Sequence, residues 1–396
     1  MKIWLIQGTI APYRTKLFES IAKTEGIDFK VILLAKGLKN VPQWNFPLEE
    51  MSFKAERVPG WCFYINYEEQ ICLNPRLLTK MFRERPDVIV CAGFSFATLL
   101  SLIYRVVTGR PYVIWNEGTP FTESKYIVFK RMLRKIMARF ASAFIAAGSL
   151  SQEYLRSLLP ENSPKPFFIS YNCPDRQHFI SMCDQSKNSE DFNNNFRKRF
   201  PEKNILYAGK LIETKGVIQL LQVYDEIITK YSEQLGLILV GQGPLRSLIE
   251  NEKKKHDWKY LFLEGFIPYH DLPKYYAIAD VFMLLSIIDR NPLVIIEALT
   301  CGVPIVCSNT VGNAFDFIRE GGNGYIVNSM DICDTAQKTI KLLETEEREK
   351  ISNISKKIAE KIDYEDSAKA FIDACQVAWK ESNKMPHKEI DYPDIL

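Results

Sequence analysis

The sequence predicts an α/β protein of two doubly wound, Rossmann-like domains that face a central cleft. Its 396 residues exceed what one hydrophobic core usually holds. Short apolar runs of strand length alternate with longer segments of helical periodicity, as in parallel sheets covered by helices. This series begins afresh after the polar, Asn-rich stretch 184–195. Because open α/β sheets bind ligands at the carboxyl ends of their strands, we expect the binding site in the cleft.

The first series of elements fills the N-terminal half. Apolar runs predict strands at 2–7, 29–35, 88–92, 112–115, 143–147 and 167–170. Helical periodicity predicts helices at 15–23, 97–108, 126–140 and 151–158. We expect a first domain over residues 1–183 and, from its polar composition, a linker at 184–200.

The second series follows the linker. It predicts strands at 204–208, 235–240, 261–263, 281–285, 304–307 and 324–326. The intervening helices are predicted at 216–231, 244–254, 271–278 and 292–300. We expect a second domain over 201–360, and over 361–396 a helix that can cross back to the first domain, with a polar tail.

Composition excludes several classes of protein. A net charge of +3 does not suit a polycation that binds nucleic acid. The nine cysteines form no CxxC pair and histidines number four, so we expect free buried thiols, with neither a zinc site nor a disulfide framework. The N-terminal run is typical of a strand, and no run of about 20 apolar residues predicts a membrane span. A cytoplasmic location is expected.

Two glycine turns follow predicted strands of the second series. After the first turn, at Gly209, come Lys210 and Lys215, which flank a predicted helix start and can bind a diphosphate together with the helix N–H groups. The alternative is an ordinary strand–turn–helix unit with solvated lysines. The second turn, Gly241-x-Gly243, lacks the third glycine of a dinucleotide fingerprint, so a tight β–α turn is the preferred interpretation over a nicotinamide site.

The segment 286–308 carries two acids eight residues apart, Asp289 in a loop and Glu297 in an apolar helix. Pro292 suits the first turn of that helix because it has no N–H to lose. A buried carboxylate needs partners, and the vicinal hydroxyls of a ribose are suitable ones. A structural cation is the alternative partner.

This segment resembles the Glu-x7-Glu signature of retaining glycosyltransferases of family 4, which have the GT-B fold. The runs VGQGP, FLEGFI and ALTCGVPIV stand in the family's order and spacing. The resemblance implies an acceptor-side first domain and a nucleotide-sugar-binding second domain. It also implies that Glu297 binds the donor ribose and that Asp289 reaches the sugar hydroxyls as a catalytic-site acid. The implied donor-binding set is Gly8, Gly209, Lys210, Lys215, Gly241, Phe266, Ile267, Asn291, Pro292, Leu293 and Glu297. Within it, the two lysines and the N–H groups near 291–293 would hold the phosphates, and Phe266 and Ile267 the base.

The chain departs from the family pattern at three positions. Asp289 is one methylene shorter than the usual Glu, and Lys210 replaces the commoner Arg, which removes a bidentate fork but keeps the charge. Many family members carry a catalytic-site His in the first domain, yet no histidine here follows one of its strands. We expect Glu117, at a strand-to-loop transition, to hold that position; an ordinary loop acid is the alternative.

Residues 125–140 carry six basic residues and no acid. A basic amphipathic helix can lie on an anionic membrane surface, which would make the protein peripheral to the cytoplasmic membrane. The alternative is a helix that packs its apolar side on the sheet.

The resemblance implies transfer of a hexose or hexose derivative from a nucleotide-diphosphate sugar to a glycan or lipid-linked acceptor. It implies retention of configuration and surface polysaccharide assembly, with no metal or other cofactor and with a UDP-sugar slightly favoured. Two alternatives stay open: a nucleotide-sugar epimerase on the same fold, and an inactive GT-B-like binding subunit.

Overall fold

The computed structural model describes residues 1–36, 48, 51–64, 70–123, 128–232 and 234–383. The chain divides into two compact units, each a parallel sheet packed against helices. The first unit contains Met1–Asn172 and the helix that follows Ile362, and the second is Cys173–Ile362. The predicted class, two doubly wound α/β units, is confirmed.

The first unit opens with alternating strands and helices. The strands are β1 (Lys2–Gln7), β2 (Asp28–Leu33), β3 (Lys54–Arg57), β4 (Trp61–Tyr64), β5 (Gln70–Leu73), β6 (Val88–Ala92), β7 (Tyr112–Asn116), β8 (Ala143–Ala146) and β9 (Phe167–Ile169). The helices are α1 (Thr15–Ala22), α2 (Arg76–Glu84), α3 (Phe96–Thr108), α4 (Pro120–Glu123), α5 (Val128–Phe140) and α6 (Ser149–Arg156).

The main sheet of the first unit is parallel, in the order β3-β2-β1-β6-β7-β8-β9, and β4 and β5 form a separate antiparallel pair. Side chains of β1 alternate between two cores. Trp4 and Ile6 pack on the face covered by α2 and α3, while Ile3 and Leu5 pack on the face covered by α1. Burial on both faces explains why the central strands read as continuous apolar runs.

The second unit repeats the alternation. Its strands are β10 (Lys203–Ala208), β11 (Leu235–Val240), β12 (Leu261–Gly265), β13 (Val281–Leu284), β14 (Ile305–Ser308) and β15 (Gly324–Val327). Its helices are α7 (Arg176–Asn188), α8 (Val217–Lys230), α9 (Arg246–Lys255), α10 (Pro273–Ala277), α11 (Leu293–Thr300), α12 (Ala314–Phe317), α13 (Ile332–Glu344) and α14 (Arg348–Ala359). The sheet is parallel, in the order β12-β11-β10-β13-β14-β15.

The last described helix, α15 (Tyr364–Asn383), belongs to the first unit. Its Phe371 packs edge-on against Phe29 and Trp115, with ring centroids 5.9 and 5.7 Å apart. The Ser367 hydroxyl donates to the Tyr171 carbonyl at 3.1 Å. α15 therefore completes the core that α1 covers on one face of the first sheet.

Residues 184–195, expected to be a loop or linker, are largely helical. α7 extends into this stretch, and a π-helical turn follows at Phe192–Phe196. Aromatic contacts stabilise the turn, since Phe196 stacks on Phe192 and meets the Tyr275 ring edge-on, each at 5.1 Å. The helical structure could not be predicted from this polar composition. A few aromatic rings, rather than an apolar stripe, attach the segment to the second unit.

The expectation of free, buried thiols holds for six cysteines and is wrong for three. Cys62 of β4 and Cys72 of β5 are directly opposite in the antiparallel pair and form a disulfide. The remaining cysteines are free, and Cys333 is the exposed one among them. The ten-residue spacing of Cys62 and Cys72 did not predict the disulfide, because their pairing depends on the register of two short strands.

Candidate functional site

The loops after the strands of the second sheet gather most of the predicted donor-site residues at one edge. Lys210 and Lys215 follow β10, and Asp289 follows its neighbour β13. The strand order reverses between these two strands, since β11 and β12 continue on one side and β14 and β15 on the other. Such a switch point is where open α/β sheets bind their ligands.

Two glycines let the backbone segments of this edge come into contact. Gly216 has φ +65°, and a Cβ there would lie 1.8 Å from the Leu285 carbonyl oxygen. Gly241 has φ +139°, and a Cβ there would lie 1.8 Å from the Gly209 oxygen. Any side chain would therefore force the loops apart. This packing agrees with the interpretation of Gly241-x-Gly243 as a tight turn.

Lys215 and Asp289 form an ion pair at the switch point. The Lys215 ammonium donates to Asp289 Oδ2 at 2.5 Å, and the two side chains are 21% and 10% exposed. The Ser286 hydroxyl donates to the same oxygen at 3.3 Å. The structure thus joins the lysine expected at the phosphates to the acid expected at the sugar. A cation and an anion held side by side can bind an anionic and a hydroxyl-bearing group of one ligand.

The loop that carries Asp289 is fixed to the start of α11. Gly312 donates its N–H to the Asp289 carbonyl at 3.0 Å, and the Asn313 amide donates to the Pro292 carbonyl at 3.0 Å. Pro292 has ψ 129° and caps α11, which begins at Leu293, one residue later than predicted. The first N–H groups of a helix have no partners inside it and attract anions.

Glu297 lies in the interior of α11, with 3% of its surface exposed. Its Oε2 accepts a hydrogen bond from the Tyr276 hydroxyl at 2.9 Å. Burial raises the pKa of the Glu297 carboxyl to about 7, against the opposing effect of the Tyr276 hydrogen bond. The partner shown is thus a phenol instead of the structural cation considered from the sequence. Such a buried carboxylate gains from any further donor, including a hydroxyl.

The remaining predicted donor residues lie as follows. Phe266 is 59% exposed and, with half-buried Ile267, directly follows β12. Gly209 and Lys210 are half-buried, as are Asn291 and Leu293. Gly8 is in the first unit, where it follows β1 at the carboxyl edge of the other sheet.

Glu117 follows β7 at the carboxyl edge of the first sheet and is the centre of a polar cluster. We call Gln7, Arg14, Glu117 and Asn172 the Arg14 cluster. Arg14 forms an ion pair with Glu117, whose Oε1 also accepts from the Asn172 amide at 2.8 Å. Arg14 donates to Gln7 Oε1 at 3.3 Å. Two donors thus orient the Glu117 carboxylate.

Arg14 and Glu117 carry opposite charges and form an ion pair within the Arg14 cluster. Burial alone would lower the pKa of Arg14, but the Glu117 charge raises it, and the net shift is upward. Burial first, and then the Glu117 charge, raise the pKa of the neighbouring Tyr13 to about 12. The Arg14 guanidinium also stacks over Trp115, 4.4 Å from the ring centroid.

Sequence reasoning missed Arg14, Asn172, Tyr276 and Asn313. Arg14 and Asn172 each follow a strand of the first sheet, and Asn313 follows β14 in the second. Position after a strand was therefore a usable signal for these three. Tyr276 comes from α10, and nothing in the spacing pointed to it.

The basic segment forms α5 from Val128 onward, and residues 124–127 lie outside the described part of the chain. Four of its basic residues are exposed: Lys130, Arg131, Lys135 and Arg139. Arg134 instead pairs with Glu123 and is 14% exposed. Five apolar side chains of α5 are also in solvent: Val128 (84%), Phe129 (65%), Met132 (52%), Ile136 (41%) and Phe140 (42%). We call these nine exposed residues the α5 surface.

Two further properties concern metals and membranes. Within the described ranges, no group of three or more His, Cys, Asp or Glu side chains is arranged to hold a metal ion. Of the helices in the described part of the chain, none has both the length and the hydropathy of a membrane span.

Part of the second unit matches the model of a known protein family. Residues 188–358 match the model of the family described as Glycosyl transferases group 1. A sulfoquinovosyl transferase of Arabidopsis thaliana is 23% identical over 317 residues, which is 76% of this chain and 59% of the relative. A capsular polysaccharide biosynthesis glycosyltransferase of Staphylococcus aureus is 26% identical over 293 residues, 71% of this chain and 74% of the relative. The chain spans about half the length of other curated relatives, 48% in two of them.

A solved structure extends the similarity to the whole fold. The Anabaena protein HepE, crystallised with UDP-glucose, matches 97% of this chain and 100% of its own with a TM-score of 0.66. The identity is 20%, so the match shows the fold, and it agrees with the predicted GT-B type.

Proposed function

We propose that the protein transfers a hexose or hexose derivative from a nucleotide-diphosphate sugar, because residues 188–358 match the model of the glycosyl transferases group 1 family. The acceptor is a glycan or a lipid-linked glycan, and the configuration of the transferred carbon is retained. The Lys215–Asp289 ion pair at the switch point, beside the start of α11, is the observation that carries this proposal. UDP is the favoured nucleotide, supported by the UDP-glucose held by HepE.

The phosphates are bound by positive charge that the chain itself supplies. Lys210, Lys215 and the first-turn N–H groups of α11 together favour a diphosphate. Asp289 accepts hydrogen bonds from the sugar hydroxyls, Glu297 from the ribose, and the exposed Phe266 ring offers a face to the base.

The transfer step needs no nucleophilic side chain. The bond between the anomeric carbon and the diphosphate oxygen breaks, and a bond to the acceptor oxygen forms on the same face. The acceptor proton passes to the departing diphosphate. Because the lysines and the helix start stabilise the developing negative charge, no metal ion is required in this mechanism.

Glu117 is the proposed first-unit member of the catalytic site. It is 29% exposed and fixed by Arg14, which supports a defined orientation towards a substrate. A group held in one orientation contributes more to catalysis than a mobile loop acid does.

An anionic membrane surface is the proposed partner of the α5 surface, and surface polysaccharide assembly is the proposed process. Exposed apolar side chains beside four exposed cations match a lipid surface, where acyl chains and anionic head groups adjoin. The capsular polysaccharide relative supports the process. A protein bound in this way would be peripheral to the cytoplasmic membrane.

The test combines donor binding with product analysis. Nucleotide sugars are screened by thermal shift, because a ligand at 100 times its Kd stabilises by about 2.7 kcal/mol. The best donor is then incubated with candidate acceptors, with and without excess EDTA, and the first product is examined by NMR. We expect an α-linked product from an α-linked donor in both cases. A β-linked product or loss of activity with EDTA would contradict the mechanism, and donor binding without transfer or epimerisation would indicate a binding subunit.

A further inference from the structure

The Arg14 cluster has properties that a purely structural ion pair does not need. Glu117 is 29% exposed, whereas Gln7 and Asn172 beneath it are 3% and 2% exposed. A partly exposed carboxylate thus lies on a buried polar base at the carboxyl edge of the first sheet. Parallel α/β sheets bind ligands at this edge.

The charges of the cluster fix the orientation of both buried amides. A guanidinium only donates, so Gln7 must turn its oxygen to Arg14. A carboxylate only accepts, so Asn172 must turn its nitrogen to Glu117. A flipped Gln7 would place its NH₂ against the Arg14 donors, and a flipped Asn172 would place its oxygen against the Glu117 carboxylate.

Three polar atoms of the cluster remain unsatisfied in the described part of the chain: Gln7 Nε2, Arg14 Nε and Asn172 Oδ1. A buried polar atom without a partner destabilises the fold, because it loses its hydrogen bonds to water. A cluster of this kind is therefore not optimised for stability alone.

We propose that Glu117 binds a hydroxyl group of a sugar substrate as an ionised hydrogen-bond acceptor, and that Arg14 is the positioning residue that keeps it ionised and oriented. The proposal rests on the glycosyltransferase function proposed above. Arg14 and Glu117 carry opposite charges, so this ion pair has no net charge with which to attract an anion. A neutral hydroxyl, which donates to a carboxylate at little desolvation cost, suits it better.

The hydroxyl can come from the transferred sugar or from the acceptor, and binding measurements separate these sources. Calorimetry is performed with UDP, with a panel of UDP-hexoses, and with methyl hexosides in the presence of saturating UDP. Glu117→Gln keeps the shape and removes the charge. We expect it to weaken binding of sugar-containing probes about tenfold, the effect of one charged hydrogen bond, and to leave UDP binding unchanged.

The source follows from which probe is affected. Loss confined to UDP-hexoses assigns the hydroxyl to the transferred sugar, and loss confined to methyl hexosides assigns it to the acceptor. Equal binding of every probe by wild type and variant overturns the proposal, as does wild-type binding of UDP with no added affinity for any sugar probe. Failure of the wild type to bind UDP instead contradicts the proposed function.

A pH profile tests the positioning role. In Arg14→Met, sugar binding should fall at pH 5.5 relative to pH 8, because a carboxylate that loses its neighbouring cation is protonated more readily. Tyr13, a titratable group beside Glu117, stays neutral over this range, since its pKa is about 12. Arg14→Lys should restore pH-independent binding, since it keeps the charge.

The matched control is Arg134→Lys, in another Arg–carboxylate pair of the first unit with little solvent exposure. It should leave sugar binding unchanged. If Arg14→Met does not fold, Arg14→Lys and Glu117→Gln decide the outcome. A pH-independent loss in Arg14→Met, not rescued by Arg14→Lys, would show that Arg14 acts only through stability.

Discussion

Replacing Glu297 by glutamine measures how strongly burial opposes ionisation of this carboxylate. Its pKa is about 7 instead of 4.5. Since one pKa unit corresponds to about 1.4 kcal/mol, ionisation in the fold costs about 3 kcal/mol more than in the unfolded chain. Between pH 4.5 and 7 the folded protein binds the extra proton, so this group makes the free energy of unfolding fall as pH rises. Glutamine cannot ionise and removes that dependence.

We therefore expect the wild type and Glu297→Gln to have similar stability near pH 4.5 and to diverge above it. At pH 8.5 the variant should be more stable by up to about 3 kcal/mol, or roughly 6–12 °C in Tm for a unit of this size. Differential scanning calorimetry from pH 4.5 to 8.5 measures the difference, in which all other titrating groups cancel.

Tyr276→Phe is the matched variant, because it removes the hydrogen bond to Glu297. It should be most destabilising at high pH, where the carboxylate is ionised and most needs the donor. Parallel stability curves for wild type and Glu297→Gln would refute the burial argument. A variant less stable than wild type at pH 8.5 would indicate a cationic partner for Glu297.

The other predictions concern the switch point and the α5 surface. Lys215→Ala should weaken UDP binding about tenfold in calorimetry, because it removes a charged donor to the phosphates, and unchanged affinity would contradict the diphosphate site. Asp289→Asn releases Lys215 from its ion pair, so UDP should bind at least as tightly while sugar transfer falls; a loss of UDP affinity would argue against these roles. Lys135→Glu combined with Arg139→Glu should abolish flotation with phosphatidylglycerol vesicles, and wild-type binding should need anionic lipid and weaken with salt. Equal flotation with anionic and neutral vesicles would indicate that α5 has only a structural role.

The strands were the most predictable part of the fold. β1 and β6 have the predicted boundaries, 2–7 and 88–92. Strands buried on both faces appear as continuous apolar runs between polar residues, so their ends are visible in the sequence. β3 and the β4–β5 pair were not predicted, because each strand has only four residues and most of their side chains are exposed or half-buried.

The candidate site was predictable as far as topology determines it. Lys215 and Asp289 are 74 residues apart, yet each follows one of two adjacent parallel strands. Their direct contact was not predicted, since it depends on the loop conformation that Gly216 permits at φ +65°. Tyr276 could not be found as the partner of Glu297, because the contact of its hydroxyl with α11 has no counterpart in sequence spacing.

The membership of α15 in the first unit has a consequence for biosynthesis. The ribosome completes Met1–Asn172 before it makes the second unit, and the residues of α15 emerge after both. Until then Phe18, Phe29 and Trp115 lack the rings and methyl groups of α15 that cover them in the finished protein. The N-terminal sheet thus remains partly uncovered throughout synthesis of about 190 further residues, on the order of 10–40 s at common elongation rates. During that interval the exposed apolar surface of the nascent chain can bind chaperones. A chain that ended at Ile362 would never cover this surface.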